Sequence, residues 1–232
     1  MNIVESEKQQ WQTQVLESFI QVVKAPYGDF GSLGKLSNAL GDAYSLQLVV
    51  EFLSRTPEGR QAFQERPRLG KVDLHQLHQL PENTLGYIYA DHMLKNGFTP
   101  PPVREIADDD YSFLGAHLGE THDIWHVVTD CDTNKAGEIE LEAFYVAQIY
   151  PSRFWLALLS KNLLKTAIED IELCDQHMDA LSIGWRRGKQ ARPLFGIQWN
   201  KLWETPLENL RTQLNLNRKM GETVTAAKAA DY

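Results

Sequence analysis

The sequence predicts an all-α protein that folds as a single-domain multi-helix bundle. Apolar residues recur at the three- and four-residue spacing of amphipathic helices along most of the 232 residues. Alternating patterns typical of strands are nearly absent, and prolines and glycines divide the helical stretches. We therefore expect one helical domain over residues 1–216 and a disordered tail over residues 217–232.

Five helices are predicted in the N-terminal half. An apolar stripe from Trp11 to Val22 ends before Pro26, and a second stripe continues from Leu36 to Leu53. Thr56 and Pro57 then provide a cap and a proline at the first position of a third helix. The remaining predictions are the end of this helix at Arg66, a brief helix over Leu74–Leu80, a helix over Thr84–Lys95 and a rigid connector at Thr99–Pro102.

Four helices are predicted in the C-terminal half. The first has acidic residues at its N-terminal end, where they complement the helix dipole. A turn at Asn134–Gly137 separates it from the second helix, which Glu138 opens. The predicted helices are Asp108–Asp130, Glu138 to about Pro151, Ser152–Met178 and Thr205–Leu216, with irregular or strand-like segments at Trp185–Gly188 and Arg192–Gly196.

Composition narrows the classes of function. The formal net charge of −8 disfavours nucleic acid as a partner, since phosphate binding needs a basic surface. Two cysteines, Cys131 and Cys174, give no disulfide framework and suit a reducing compartment. No apolar run approaches the roughly 18 to 20 residues of a membrane span, and the N-terminus resembles neither a signal peptide nor a presequence. We expect a cytoplasmic protein that attaches to membranes only peripherally.

The segment His122–His126, followed by Glu138, predicts a metal site. His122 and His126 are four residues apart, so both imidazoles lie on one face of the predicted helix. Asp123 and Glu138 add oxygen ligands, which gives two nitrogen and two oxygen donors for one divalent ion. This donor set favours zinc, and iron, cobalt, manganese and magnesium are the alternatives.

Other interpretations of this motif differ in their chemistry. A polar network in the core needs no metal. Four protein ligands would close a structural zinc site, whereas an open position would make the site catalytic. A zinc peptidase is disfavoured because Asp123 is one carbon shorter than the glutamate that activates water in those enzymes. A calcium-binding loop starting at Asp132 is rejected, since Ala143 stands where a bidentate glutamate is required.

The predicted helix after Ser152 is apolar around its whole circumference. Phe154, Trp155 and Leu158 need a partner outside the core, and Lys161 and Lys165 flank the same face. We expect contact with an isoprenoid lipid and an anionic membrane surface, and we also expect a homodimer, for which this face is a candidate contact. A helix buried on both sides is the alternative. The stripe predicted to face the core is Leu156, Leu159, Leu163 and Ala167.

A basic cluster follows, for which two interpretations stand. One is a solvated loop, and the other is a contact with anionic lipid or phosphate. Its members are Arg186, Arg187, Lys189 and Arg192.

Taken together, these motifs resemble the coenzyme Q biosynthesis protein 4 family, in a bacterial-type member. The metal signature at residues 122–126 with Glu138 carries the resemblance, which extends over roughly residues 40–216. Further matching segments are Glu65–Arg68, Leu80–Gly86, Thr133–Asn134, Gly137–Ile139, Trp199–Trp203 and Leu207–Leu214.

The resemblance implies a helical protein of ubiquinone biosynthesis that lies on a membrane face. Its implied activity is oxidative decarboxylation at ring C1 of a polyprenylated hydroxybenzoate, and its implied partners are a prenylated aromatic lipid and other quinone-biosynthesis proteins. The alternative is a non-catalytic lipid-binding scaffold that organises those enzymes. By the same resemblance, the metal ligands are His122, Asp123, His126 and Glu138.

Overall fold

The computed structural model describes residues 3–26, 29–103 and 107–218, and it confirms the predicted all-α fold. The described residues contain eleven α-helices and no β-strand. The predicted tail lies almost entirely outside the described residues. The helices are α1 (Ile3–Lys24), α2 (Phe30–Leu40), α3 (Ala43–Leu53), α4 (Pro57–Glu65), α5 (Leu74–Leu77), α6 (Leu85–Asn96), α7 (Asp110–Thr129), α8 (Lys135–Ile149), α9 (Arg153–Glu169), α10 (Cys174–Gln190) and α11 (Leu207–Gln213).

The single helix predicted over Leu36–Leu53 is in fact two helices, α2 and α3. The Asp42 carboxylate accepts a hydrogen bond from the backbone N–H of Ser45 (3.0 Å) and so caps a new helix start. The break occupies only Gly41 and Asp42, and apolar periodicity alone does not detect so short an interruption.

The helix predicted over Ser152–Met178 is likewise divided. α9 ends at Glu169, and a 3-10 turn over Ile171–Leu173 leads into α10. Because α10 continues to Gln190, the segment Trp185–Gly188 is helical and not irregular as predicted. Glycine has a low helix propensity, so the glycines of α10 weaken the helical pattern in the sequence. In the structure these glycines allow α10 to pack closely against α8.

α10 packs against α8 through its glycines. A β-carbon on Gly184 would lie 2.0 Å from the carbonyl oxygen of Glu140, and one on Gly188 would lie 2.8 Å from that of Phe144. Since these two glycines are one helical turn apart, they let the two backbones meet along a continuous strip. This crossing fixes the position of α8, which carries Glu138.

α7 occupies the centre of the core. Its residues Phe113, Ile124 and Trp125 are fully buried, and the main apolar cluster around them draws side chains from α3, α4, α6, α8 and α11. α1 and α2 pack on α9 through a smaller cluster that includes Val22 and Leu36. The predicted metal motif therefore lies on a helix at the centre of the core.

We expect Gly184→Ala to lower the free energy of unfolding by roughly 2 kcal/mol or more, because an added methyl group must push α10 away from α8. Urea unfolding followed by circular dichroism measures the change. Gly34 is a matched control, since a β-carbon there would have nothing within 4 Å. Gly34→Ala should be neutral or stabilising, and equal effects of the two substitutions would contradict the close crossing.

Candidate metal centre

Two histidines on α7 form the middle of the candidate site. Asp109 starts this helix with a capping box, and α7 then runs without a break to Thr129. His122 and His126 consequently lie one turn apart on the same face, with ring centroids separated by 4.9 Å and ring planes nearly perpendicular.

α8 begins three residues before Glu138, not at Glu138 as predicted. The Asn134 side chain caps the helix by accepting a hydrogen bond from the backbone N–H of Gly137 (2.9 Å). A β-carbon on Gly137 would lie 2.0 Å from the carbonyl oxygen of Asp132. The segment predicted as a turn is thus the cap and first turn of α8, and its tight packing sets the position of Glu138.

Glu138 meets the histidines of α7 at close range. Its Oε1 lies 3.3 Å from Nε2 of His126. One potential ligand atom from each of His122, His126 and Glu138 lies within 4.8 Å of the others. Three of the four predicted ligands are therefore brought together, and a single ion placed among them would contact two nitrogens and one oxygen.

The protonation of these groups suits metal binding. Burial, helped by the charge of His126, lowers the pKa of His122 to about 4, so this imidazole is neutral near pH 7. Burial is the largest single influence and opposes ionisation of both Glu138 and His126, but their mutual hydrogen bond and the surrounding charges together outweigh it: the pKa of Glu138 is lowered and that of His126 is raised. A metal ion would displace the proton of His126 and take its place beside the carboxylate.

A backbone carbonyl orients His126. Its Nδ1 lies 3.1 Å from the carbonyl oxygen of Cys131, which can only accept, so Nδ1 carries the proton of this hydrogen bond. Nε2 is left to face Glu138, as in histidines that ligate a metal. Burial raises the pKa of the Cys131 thiol to about 12, so Cys131 serves the site through its main chain and not as a thiolate.

Asp123 lies beside the cluster of three and is not one of its members. Among the described residues, the group whose ligand atoms converge consists of His122, His126 and Glu138, without the Asp123 carboxylate. Burial raises the pKa of Asp123, while the charge of His126 opposes that change. A role for Asp123 as a fourth ligand stays a prediction.

Tyr145, an aromatic residue that sequence analysis did not select, lines the site from α8. Tyr145 is stacked between Trp125 and Trp155, with centroid distances of 4.2 and 4.6 Å. Its ring lies 5.9 Å from that of His122. The sequence held a usable signal, because Tyr145 follows Glu138 by seven residues and so shares its helix face.

Two further residues approach from α6. The ring of His92 stacks on that of His126 with centroids 6.5 Å apart. Tyr89 is three residues before His92 and lies on the same side of α6. His117, by contrast, is structural: its Nδ1 lies 3.1 Å from the carbonyl oxygen of Pro67, and its Nε2 accepts from the N–H of Gly196.

The lipid-contact surface predicted on α9 is wrong in its orientation. Leu158, Lys161 and Lys165 are buried, and Phe154 and Trp155 are only partly exposed. The other side of α9 faces outward. Part of the stripe predicted to face the core lies on this exposed side. The large apolar side chains exposed there are Leu156 (49 % exposed), Leu164 (40 %) and Ile168 (67 %).

Both lysines are used inside the protein. Lys165 donates hydrogen bonds to the carbonyl oxygens of Val23 (2.9 Å) and Ala25 (3.1 Å), so it caps the C-terminal end of α1. It also forms an ion pair with Glu169 (3.0 Å). Burial lowers the pKa of Lys161, and the charges of two glutamates on α8 oppose that effect. Neither lysine is placed to meet lipid headgroups.

One of those glutamates, Glu142, is a second buried carboxyl group near the site. It accepts a hydrogen bond from Asn162 Nδ2 on α9 (2.6 Å). Burial raises its pKa to about 8, so Glu142 is mostly protonated at neutral pH. Glu138 therefore presents the charged carboxylate of α8 to a metal ion.

The basic cluster is not a solvated loop, since Arg187 lies inside α10. Its guanidinium pairs with Glu140 (2.6 Å) and donates to the carbonyl oxygens of Thr129 (2.6 Å) and Leu216 (3.0 Å). Arg187 is thereby committed to holding the end of α7 and is not available to phosphate.

The family profile described as "Coenzyme Q (ubiquinone) biosynthesis protein Coq4" matches residues 2–219, nearly the whole chain. The chain belongs to this Coq4 family. The resemblance inferred from the metal signature is confirmed, and with it a place among ubiquinone biosynthesis proteins.

Relatives agree with this assignment. The chain is 29 % identical over 178 residues to the mitochondrial COQ4 homolog of Anopheles gambiae, and the match covers 74 % of this chain and 62 % of the relative. It is 30 % identical to the Aedes aegypti homolog, and that match covers 74 % of this chain and 64 % of the relative. The chain thus spans less than two thirds of the length of these relatives. A crystal structure from Nostoc punctiforme, described as a candidate ubiquinone biosynthesis protein, superposes with a TM-score of 0.78 at 32 % identity, covering 89 % of this chain and 99 % of that one.

None of the described helices is both long enough and apolar enough to cross a bilayer.

Replacing either His122 or Glu138 by alanine should reduce bound divalent metal about tenfold or more, because each supplies one of three converging ligand atoms. Elemental analysis of purified and zinc-reconstituted protein measures this. His75→Ala is the control, since His75 is exposed and outside the cluster. Full metal content in both variants would place the metal elsewhere.

The same measurement on Asp123→Asn tests the role of Asp123. A loss of bound metal equal to that of His122→Ala would make Asp123 a ligand, and a smaller loss would make it a residue beside the site that does not bind the metal.

Proposed function

We propose that this chain is a metal-dependent enzyme of ubiquinone-type quinone biosynthesis that replaces the C1 carboxylate of a polyprenylated hydroxybenzoate with a hydroxyl group. The observation that carries the proposal is the enclosed cluster of His122, His126 and Glu138 in a member of the Coq4 family. Carbon dioxide leaves and a hydroxyl group takes its place, which is a two-electron oxidation of the substrate overall. With dioxygen as the oxygen source, a two-electron donor is also consumed and water is the second product.

The donor set supports a divalent ion as the cofactor. His122 is neutral, Glu138 is ionised, and His126 is oriented by a carbonyl group, so all three are prepared to bind. When bound, such an ion supplies Lewis acidity that polarises oxygen substituents on the ring. Two imidazoles and one carboxylate suit zinc, iron, cobalt or manganese.

Residues around the cluster give it a water-poor setting. Trp125 and Tyr145 are fully buried beside His122, and Trp155 extends their stack toward α9. Polar interactions strengthen where water is excluded.

The proposal includes binding of the prenyl tail at a membrane face. Leu156, Leu164 and Ile168 are the exposed apolar residues of α9 that support such a contact. Complete burial of one such side chain in lipid would contribute roughly 1.5 to 3 kcal/mol. Because Lys161 and Lys165 are buried, this contact would depend on apolar burial and not on attraction to anionic headgroups.

A second candidate function is a non-catalytic lipid-binding scaffold for other quinone-biosynthesis enzymes. The exposed apolar side of α9 favours it, since a surface of this kind also serves association with a partner or a second copy of the chain. A metal would then be structural.

The two functions are separated by a direct assay. Protein loaded with zinc, iron(II), cobalt or manganese is incubated with 3-geranyl-4-hydroxybenzoate, dioxygen and ascorbate as the electron donor. We expect mass spectrometry to detect the product in which a hydroxyl group replaces the carboxylate, with at least about a hundredfold less product from His122→Ala. Retention of the lipid without product under every metal would contradict the enzymatic proposal and support the scaffold.

A further inference from the structure

Two tyrosine hydroxyl groups near the metal centre lack an explanation within the fold. Tyr89 on α6 and Tyr145 on α8 are 0 % and 1 % exposed, and neither hydroxyl has a hydrogen-bond partner among the described residues. A buried hydroxyl without a partner is unfavourable, and native proteins contain few of them. Phenylalanine would fill the same space without this disadvantage, so the hydroxyl groups themselves require a reason.

Tyr145 is directed to the site by its place on α8. It lies two helical turns beyond Glu138 on the same face, and its ring is 5.9 Å from that of His122. Trp125 and Trp155 stack on its two faces, which fixes the plane of the ring and leaves the hydroxyl little freedom to turn away.

Tyr89 reaches the same region from α6. It shares a helix face with His92, whose ring stacks on that of His126 and whose Nε2 is also buried without a partner among the described residues. Trp203 stacks on Tyr89 with centroids 5.4 Å apart and fixes its ring. Burial raises the pKa of both Tyr89 and Tyr145, and the negative charge of the nearby Asp123 carboxylate raises it further.

We propose that Tyr89 and Tyr145 are specificity-determining residues, whose hydroxyl groups donate hydrogen bonds to oxygen substituents of an aromatic ring bound at the metal centre. The identity of the ring rests on the proposed function, and the hydrogen bonds do not require that turnover occur. Both donors are held in place before binding, so a ligand oxygen would gain their hydrogen bonds without rearrangement of the protein. A ring without that oxygen would leave the donors unpaired, and a site built in this way rejects such a ligand.

The test compares two ligands on zinc-loaded protein: 3-geranyl-4-hydroxybenzoate and 3-geranylbenzoate, which lacks the ring hydroxyl. Titration calorimetry gives the two Kd values for wild type, Tyr89→Phe, Tyr145→Phe and the double variant. Wild type should prefer the hydroxylated ligand by about tenfold or more, and the double variant should bind the two within about twofold of each other. Tyr111→Phe is the control, because this tyrosine is 41 % exposed, and it should keep the wild-type preference.

Zinc content and unfolding temperature distinguish this role from a structural one. If the hydroxyl groups are unpaired before binding, the phenylalanine variants should keep their zinc and unfold at the same or a higher temperature. The proposal is overturned if the preference is unchanged in the double variant, if wild type binds neither ligand, or if the variants unfold earlier and lose both ligands equally. A hydroxyl-dependent preference in a protein that forms no product would refute the decarboxylation and leave this inference standing.

Discussion

The tight reversal between α7 and α8 is the constraint on which the metal centre depends. Only five residues separate Thr129 from Lys135, and within them Asp130 adopts a left-handed conformation with φ of 57°. The Cys131 carbonyl turns back onto His126, and the contact of Gly137 with Asp132 leaves no room for a side chain. The last turn of α7 and the first turn of α8 therefore face each other, and His126 and Glu138 meet.

Arginine side chains stabilise this reversal from the C-terminal end of α7. Arg187 donates to the carbonyl oxygen of Thr129, and Arg211 donates to those of Val127 (2.9 Å) and Val128 (3.2 Å). Carbonyl groups in the last turn of a helix lack the regular partner four residues later, and positive charge there complements the helix dipole. Because Arg187 also pairs with the buried Glu140, α7, α8 and α10 are tied together directly behind the metal ligands.

The sequence predicted the helical class and the convergence of His122, His126 and Glu138, because these depend on local spacing. His122 and His126 share a face in any helix, and a glutamate shortly after a turn has few other places to go. It did not predict the side of α9 that is buried, since Lys161 and Lys165 look like surface residues until their partners on α1 and α8 are known. The sequence also did not select Tyr89. This residue lies on α6, which ends 14 residues before α7 begins, and only tertiary packing brings it to α7.

X-ray absorption spectroscopy of stoichiometrically zinc-loaded protein tests the central claim most directly. A centre built from His122, His126 and Glu138 predicts two imidazole nitrogens at about 2.0 to 2.1 Å, carboxylate oxygen at about 2.0 to 2.2 Å, and no sulfur scatterer. The imidazole signal should halve in His122→Ala. A sulfur shell at about 2.3 Å, or an oxygen-only shell that does not change in that variant, would show that the metal binds elsewhere.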